Sequence, residues 1–212
     1  MHDHLFDEAF RARLRDLFVW RRDVRRFKTD ALPAGTVDRL IEAACLSPSV
    51  GLSQPWRFVT VDDPDRRRRV VEDFRARNAE ALQAYDSDRS RLYAGLKLAG
   101  LAEAPCQLAV FADRATTLGS GLGRRTMPEM AEYSAVAAVC TMWLAARAEG
   151  VGMGWVSILD PARIAGILEV PPDWRFIGYF CLGYPLAESD SPELERAGWE
   201  KRQPPASFVV RR

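Results

Sequence analysis

Histidine is nearly missing from this chain of 212 residues: only His2 and His4 occur, both at the extreme N-terminus. A Ser-His-Asp triad, a Cys-His pair or a histidine-rich metal centre each needs imidazole held rigidly in a pocket, so all three are excluded and no metal is expected. Cysteine is also sparse. Cys45, Cys106, Cys140 and Cys181 are widely spaced with no C-x-x-C pair, which argues against zinc and redox disulfides and for buried, inert thiols. There is no excess of either charge: 30 basic residues face 29 acidic ones, so no global field draws the protein to nucleic acid or to an anionic membrane. The uncharged run Tyr133 to Ala146 is far short of the ~20 residues that span a bilayer. Residues 1–5 are polar, read as disordered, and carry no apolar signal core. These absences describe a soluble cytoplasmic protein. If it is an enzyme, its difficult chemistry comes from a borrowed organic molecule.

What remains is ordinary for a folded domain, with 48% apolar and 28% charged residues. Apolar spacing predicts an amphipathic helix over Phe6–Trp20 and a second over Val37–Leu46. Alternation predicts strands at Trp56–Val61, Gln107–Ala112, Gly154–Leu159 and Arg175–Leu182. Long charged helical stretches run from about Arg66 to Tyr85 and Arg89 to Leu101, and a short helix covers Pro161–Leu168. Glu129–Glu149 is a helix apolar almost all round, the signature of full burial or of a subunit interface. No repeat or composition break appears, so residues 1–212 read as one α+β domain whose polar tail lies on a partner.

Three clusters suit chemistry. Arg21-Arg22-Asp23-Val24-Arg25-Arg26-Phe27 stands at the end of the first helix, and several guanidiniums there make a strong phosphate receptor. Of the 30 basic residues only Lys28, Lys97 and Lys201 are lysine, so arginine clusters also arise by composition; Arg66 to Arg69 is read as a solvated helix face. The loop Ser47 to Pro55 offers hydroxyls, a glycine and the Gln54 amide to a flat polar ligand before running into a strand. Finally, Gly150-Val151-Gly152-Met153-Gly154 precedes a strand instead of linking a strand to a helix; it fails the dinucleotide fingerprint, and its glycines instead permit close backbone approach.

Taken in order, these clusters resemble the flavin-dependent nitroreductase family: Arg-Arg-x-x-Arg-x-Phe at Arg21 to Phe27, then Pro-Ser-x-x-x-x-Gln-Pro-Trp-x-Phe at Pro48 to Phe58, then a Gly-x-Gly strand after a buried helix, at Gly152 to Ser157. The resemblance covers about residues 15–204. It implies a three-layer sandwich, a mixed sheet flanked by helices, in an intertwined homodimer that binds FMN at its subunit interfaces. Arg21, Arg22, Asp23, Val24 and Arg25 would hold the flavin. Ser49 and Gln54 would reach it from the other subunit, and Arg202 in Arg-Gln-Pro would add to the phosphate site. Residues 186–212 would form an arm around the partner.

Asp23 replaces the serine usual in the family, and the sequence around Ser157 and over Leu96 to Phe111 resembles a flavin-destroying branch of it. That branch fragments reduced FMN with O2 into 5,6-dimethylbenzimidazole, the lower ligand of cobalamin, and erythrose 4-phosphate. FMN is then substrate as well as ligand, and a transient separate reductase using NAD(P)H supplies it reduced. The resemblance makes residues 88–104 a lid with Leu98 near the flavin, and makes Asp23 and Ser157 the catalytic pair. Flanked by Arg22 and Arg25, Asp23 is expected to stay ionised and to take a proton during bond cleavage. Two alternatives remain at this point: a conventional FMN-dependent NAD(P)H oxidoreductase (a nitroreductase or a cob(II)yrinic acid a,c-diamide reductase), and a non-catalytic flavin-binding dimer.

Overall fold

The sheet is built around two strands that read as nearly continuous apolar runs, Cys106–Asp113 (β2) and Trp174–Gly183 (β4). A computed structural model describes residues 5–83 and 100–212. The sheet order is β1-β2-β4-β3, with Trp56–Thr60 (β1) and Gly152–Val156 (β3) at the edges, and all three pairings are antiparallel. The parallel element expected of a mixed sheet is a single bridge, Asp23 with Met153. Strand alternation sends Leu108, Val110, Phe180 and Leu182 to one face and Ala109, Phe111, Tyr179 and Cys181 to the other. Both faces are covered, which is why the central strands carry so little polarity.

On the first face lie Thr36–Cys45 (α2) and Met130–Ala148 (α5), through Leu40, Ala44, Val139 and Met142. On the second lie Pro64–Gln83 (α3) and Pro161–Leu168 (α6), through Val70, Ile164 and Ile167. Gly100–Glu103 (α4) leads into β2, and a single turn, Glu193–Arg196 (α7), follows β4. The three layers are those the sequence implied. The expected strand Gly154–Leu159 begins two residues earlier, because Gly152 and Met153 already pair with β4, and ends three residues short, at Val156. Leu98 and most of the expected lid lie outside the described residues.

Some expectations change. The first helix, Glu8–Trp20 (α1), is capped by the Asp7 carboxylate accepting from the Phe10 N–H at 2.7 Å, yet buries no residue at all. Its Phe10, Phe18, Val19 and Trp20 stay exposed, as do Tyr133 and Cys140 on α5. The all-round apolar helix is therefore buried on one side only. Cys45 and Cys140 are exposed and Cys106 is half-buried, so of the four expected buried thiols only Cys181 is one. The Arg66–Arg69 run is not simply a solvated face either. Arg66 donates to the Ile167 carbonyl at 2.8 Å, near the end of α6 where helix carbonyls lack partners, and Arg67 donates to the carbonyls of Val61 and Pro105. Only Arg68 keeps to exposed ion pairs, with Asp65 and Glu72.

After α1 the chain straightens and lies along the open edge of β3. The Val24 N–H donates to the Met153 carbonyl at 3.1 Å and Lys28 to Tyr184 at 2.9 Å, while Leu186 returns a bond to the Arg26 carbonyl at 3.0 Å. This approach needs bare glycines: a Cβ on Gly154 would stand 2.1 Å from the Val24 carbonyl oxygen, and one on Gly152 2.9 Å from the Val24 side chain. Gly154→Ala should therefore cost at least ~2 kcal/mol by overpacking against a backbone that has nowhere to move. Gly166→Ala on α6, where a new methyl meets nothing within 4 Å, should instead gain about 0.5–1 kcal/mol from helix propensity. Thermal melting of the two variants checks both signs, and a Gly154→Ala protein that melts like the parent contradicts the docking.

Candidate active site

The extended segment from Arg22 to Lys28 is held nearly residue by residue. The Trp143 indole donates to the Arg22 carbonyl at 3.1 Å, and the Arg21 guanidinium stacks 5.0 Å from the centre of the same indole. The Trp155 N–H donates to Asp23 Oδ1 at 2.8 Å. At the far end Glu103, on α4, accepts from the Phe27 N–H at 3.1 Å and from Arg26 at 3.2 Å. Backbone and carboxylate thus fix the direction in which the arginines point.

Those arginines are crowded. Arg21, Arg22, Arg25 and Arg202 line one cavity of about 130 Å³. Arg22, Arg25, Arg26 and Arg196 line a neighbouring one of about 240 Å³, and Asp23 and Glu193 border both. Burial first, then the charges of Arg202 and Arg21, push the Arg22 guanidinium below its ordinary value. Arg22 Nε and Arg25 Nε are buried and make no hydrogen bond. Four guanidiniums around one small cavity are a donor set that suits an anion with several acceptor oxygens. A phosphate monoester has that chemistry, and the donor set therefore fits FMN.

Asp23 feels burial as well as its arginine neighbours. Its carboxyl is raised above the ordinary aspartate value, because burial outweighs the Trp155 N–H and the charges of Arg25 and Arg21, which pull the other way. Arg25 Nε approaches Asp23 Oδ2 only to 3.6 Å and is shared with Glu193 at 3.9 Å, so the pairing is too loose to offset the loss of water. A carboxylate so raised is a stronger proton acceptor than an exposed one.

The structure brings Arg21, Arg22, Asp23, Val24, Arg25 and Arg202 together around the two cavities. It does not bring Ser49 and Gln54 there. They belong to the turn around Val50–Leu52, where Ser49 Oγ accepts from the Gln54 N–H at 3.1 Å and Ser134 Oγ from the Val50 N–H at 3.1 Å. Leu52 and Gln54 both sit at positive φ, 53° and 42°, and Leu52 is 72% exposed. Strain of that kind, about 1–3 kcal/mol per residue, persists where surroundings impose it and clusters at ligand-binding loops. Ser157 is exposed just beyond β3, two residues past the Trp155 amide that Asp23 holds, and lines neither arginine cavity. The sequence reading missed Trp143, Glu103, Glu193 and Arg196, single residues far from the motifs whose roles come only from tertiary approach. Among the described residues no group of histidine, cysteine, aspartate and glutamate could hold a metal ion, and no helix is long and apolar enough to cross a membrane.

Known proteins resemble this chain. The model of the nitroreductase family fits residues 18–184. A curated protein of Rhodospirillum rubrum, named 5,6-dimethylbenzimidazole synthase, is 54% identical over 98% of each chain. One of the same name from Rhodobacter capsulatus is 44% identical over 94% of this chain and 96% of its own. Among solved structures, iodotyrosine deiodinase bound to FMN and 3-iodo-L-tyrosine superposes with a TM-score of 0.71 at 23% identity, covering 83% of this chain and 91% of the other, a likeness of fold. With the layered sheet, the arginine segment on its glycine edge and a family match over most of the length, the chain belongs to the nitroreductase family.

Proposed function

We propose that this protein is a 5,6-dimethylbenzimidazole synthase, which consumes reduced FMN and O2 and releases 5,6-dimethylbenzimidazole and erythrose 4-phosphate. The observation that carries the reading is the 54% identity to a synthase of that name, end to end. The carboxylate of Asp23 within the arginine segment is the local feature that goes with it. Bound reduced FMN supplies both the electrons for O2 and the carbon skeleton of the product. The chain's own groups do the rest. Arg21, Arg22, Arg25 and Arg202 would take the phosphate, beside the Val24 backbone that Met153 fixes. Asp23, raised by burial, accepts a proton at its carboxylate during cleavage, and the Ser157 hydroxyl hydrogen-bonds the ring. The reduced flavin comes from a separate, transiently bound reductase using NAD(P)H, in the cytoplasm.

The site also needs a second copy. Ser49 and Gln54 do not line the arginine cavities of their own chain, and α1, the outer side of α5 and Phe208 to Val210 leave apolar side chains in solvent. Unpartnered apolar surface on this scale marks an interface. In the homodimer each protomer's strained loop completes its partner's flavin site, with residues 186–212 as the arm between them.

The activity is tested by adding chemically reduced FMN, admitting air and chromatographing the products. Loss of flavin with appearance of 5,6-dimethylbenzimidazole is expected; intact oxidised FMN as the only flavin product would mean an ordinary oxidoreductase or a carrier. Asp23→Asn keeps an acceptor for the Trp155 N–H, so it should bind FMN yet lose about 10²–10⁴-fold in product formation. Its pH profile gives the sign: an acceptor must be deprotonated and its pKa is raised, so the wild-type rate falls on acidification at a pH above the ordinary aspartate range. A rate flat through that region would remove Asp23 from the chemistry. Sedimentation should give twice the mass of one chain, and a monomer at micromolar concentration would contradict the shared site.

A further inference from the structure

Asp73 lies in the middle of α3, between arginine-rich turns, and nothing in the sequence sets it apart from other acidic residues of that helix. In the fold it is 0% exposed. A buried carboxylate is expensive unless its oxygens are used. Here Oδ2 accepts from the backbone N–H of Asp160 at 2.8 Å, across 87 residues of sequence. Oδ1 makes no hydrogen bond and has Arg163 Nε at 3.5 Å and Arg77 Nε at 3.9 Å. Asp160 in turn caps α6, its own carboxylate accepting from the N–H groups of Ala162 and Arg163.

The consequence concerns the three residues between β3 and this cap. Ser157 and Ile158 lead to buried Leu159, and Asp160 follows. On the near side the Trp155 N–H is held by the Asp23 carboxylate, and on the far side the Asp160 N–H is held by Asp73. Ser157 therefore sits between two backbone amides that are each clamped by an acidic side chain from elsewhere in the chain. We infer that Asp73 is a positioning residue for the reaction, fixing the turn that presents Ser157 to the bound flavin. This rests on the proposed function. Loss of the clamp should leave the arginine site intact, since Asp73 contributes nothing to its cavities. Its effect falls instead on what becomes of the reduced flavin: productive fragmentation, or the simple reaction FMNH2 + O2 → FMN + H2O2.

The test measures three quantities for wild type, Asp73→Asn, Asp73→Ala, Ser157→Ala and the double variant Asp73→Ala/Ser157→Ala. These are anaerobic affinity for reduced FMN, hydrogen exchange at the Asp160 amide, and the fraction of flavin recovered as 5,6-dimethylbenzimidazole after air is admitted. Asp73→Ala should exchange faster at Asp160 and lose about 10–100-fold in that fraction, the usual cost of an outer-shell support, with affinity nearly unchanged. Asp73→Asn keeps an acceptor oxygen and should stay close to wild type. In the double variant the loss should not exceed that of Ser157→Ala alone, because one residue acts through the other. Multiplying losses, a wild-type product fraction in Asp73→Ala, or affinity and product falling together would each overturn the inference. Should Asp73→Ala not fold, Asp73→Glu carries the test, its extra methylene displacing the clamp; a wild-type product fraction there overturns the proposal. A wild-type protein that makes no benzimidazole at all overturns the proposed function along with it, whereas an unaffected variant overturns this inference alone.

Discussion

Everything at the site follows from laying an extended, arginine-rich segment against a strand edge that has no side chains in the way. Val24 bonds to Met153 across a gap that Gly152 and Gly154 keep empty, and the flanking arginines are thereby forced outward into a small volume. Had the segment continued α1 as a helix, its guanidiniums would have fanned around the axis with no common target. Extended and clamped by Trp143, Trp155 and Glu103, they converge with Arg202 and Arg196 from the end of the chain.

The same docking buries Asp23, and the two effects pull on its proton in opposite directions. Neighbouring guanidiniums favour the charged form, while loss of water disfavours it, and the second wins. An aspartate among arginines at the surface would be a weak base locked in ion pairs. Sunk beside the Trp155 amide, with Arg25 no closer than 3.6 Å, it keeps the capacity to take up a proton. A serine at that position would keep a hydrogen bond but would offer no such capacity. The strained turn carrying Ser49, Leu52 and Gln54 lines neither arginine cavity of its own chain, and the proposed homodimer gives it a place at the partner's.

How much of this could be read from the residues depends on the range of the cause. Elements fixed by local periodicity were legible: α6 ends where expected, and β2, β4 and the apolar α5 differ by a residue or so at each end. So was the order of the three motifs, and with it the family. What could not be read was whatever depends on burial. The direction of the Asp23 shift, the exposure of Cys45 and Cys140, and the carbonyl partners of Arg66 and Arg67 are set by distant chain segments, and a charged residue looks alike in sequence whether sunk or solvated. Asp73 and Glu103 went unnoticed for the same reason. Each is one acid among many, and its meaning lies in a backbone N–H on the far side of the fold.

We propose that the arginines gathered at one cavity, Arg21, Arg22, Arg25 and Arg202, hold the phosphate of FMN. Anaerobic titration of the protein with reduced FMN and with reduced riboflavin, at two salt concentrations, isolates that group, since the two ligands differ only there. The account predicts that FMN binds far more tightly than riboflavin and that the advantage shrinks as salt rises. Equal affinities for the two, insensitive to salt, would contradict it.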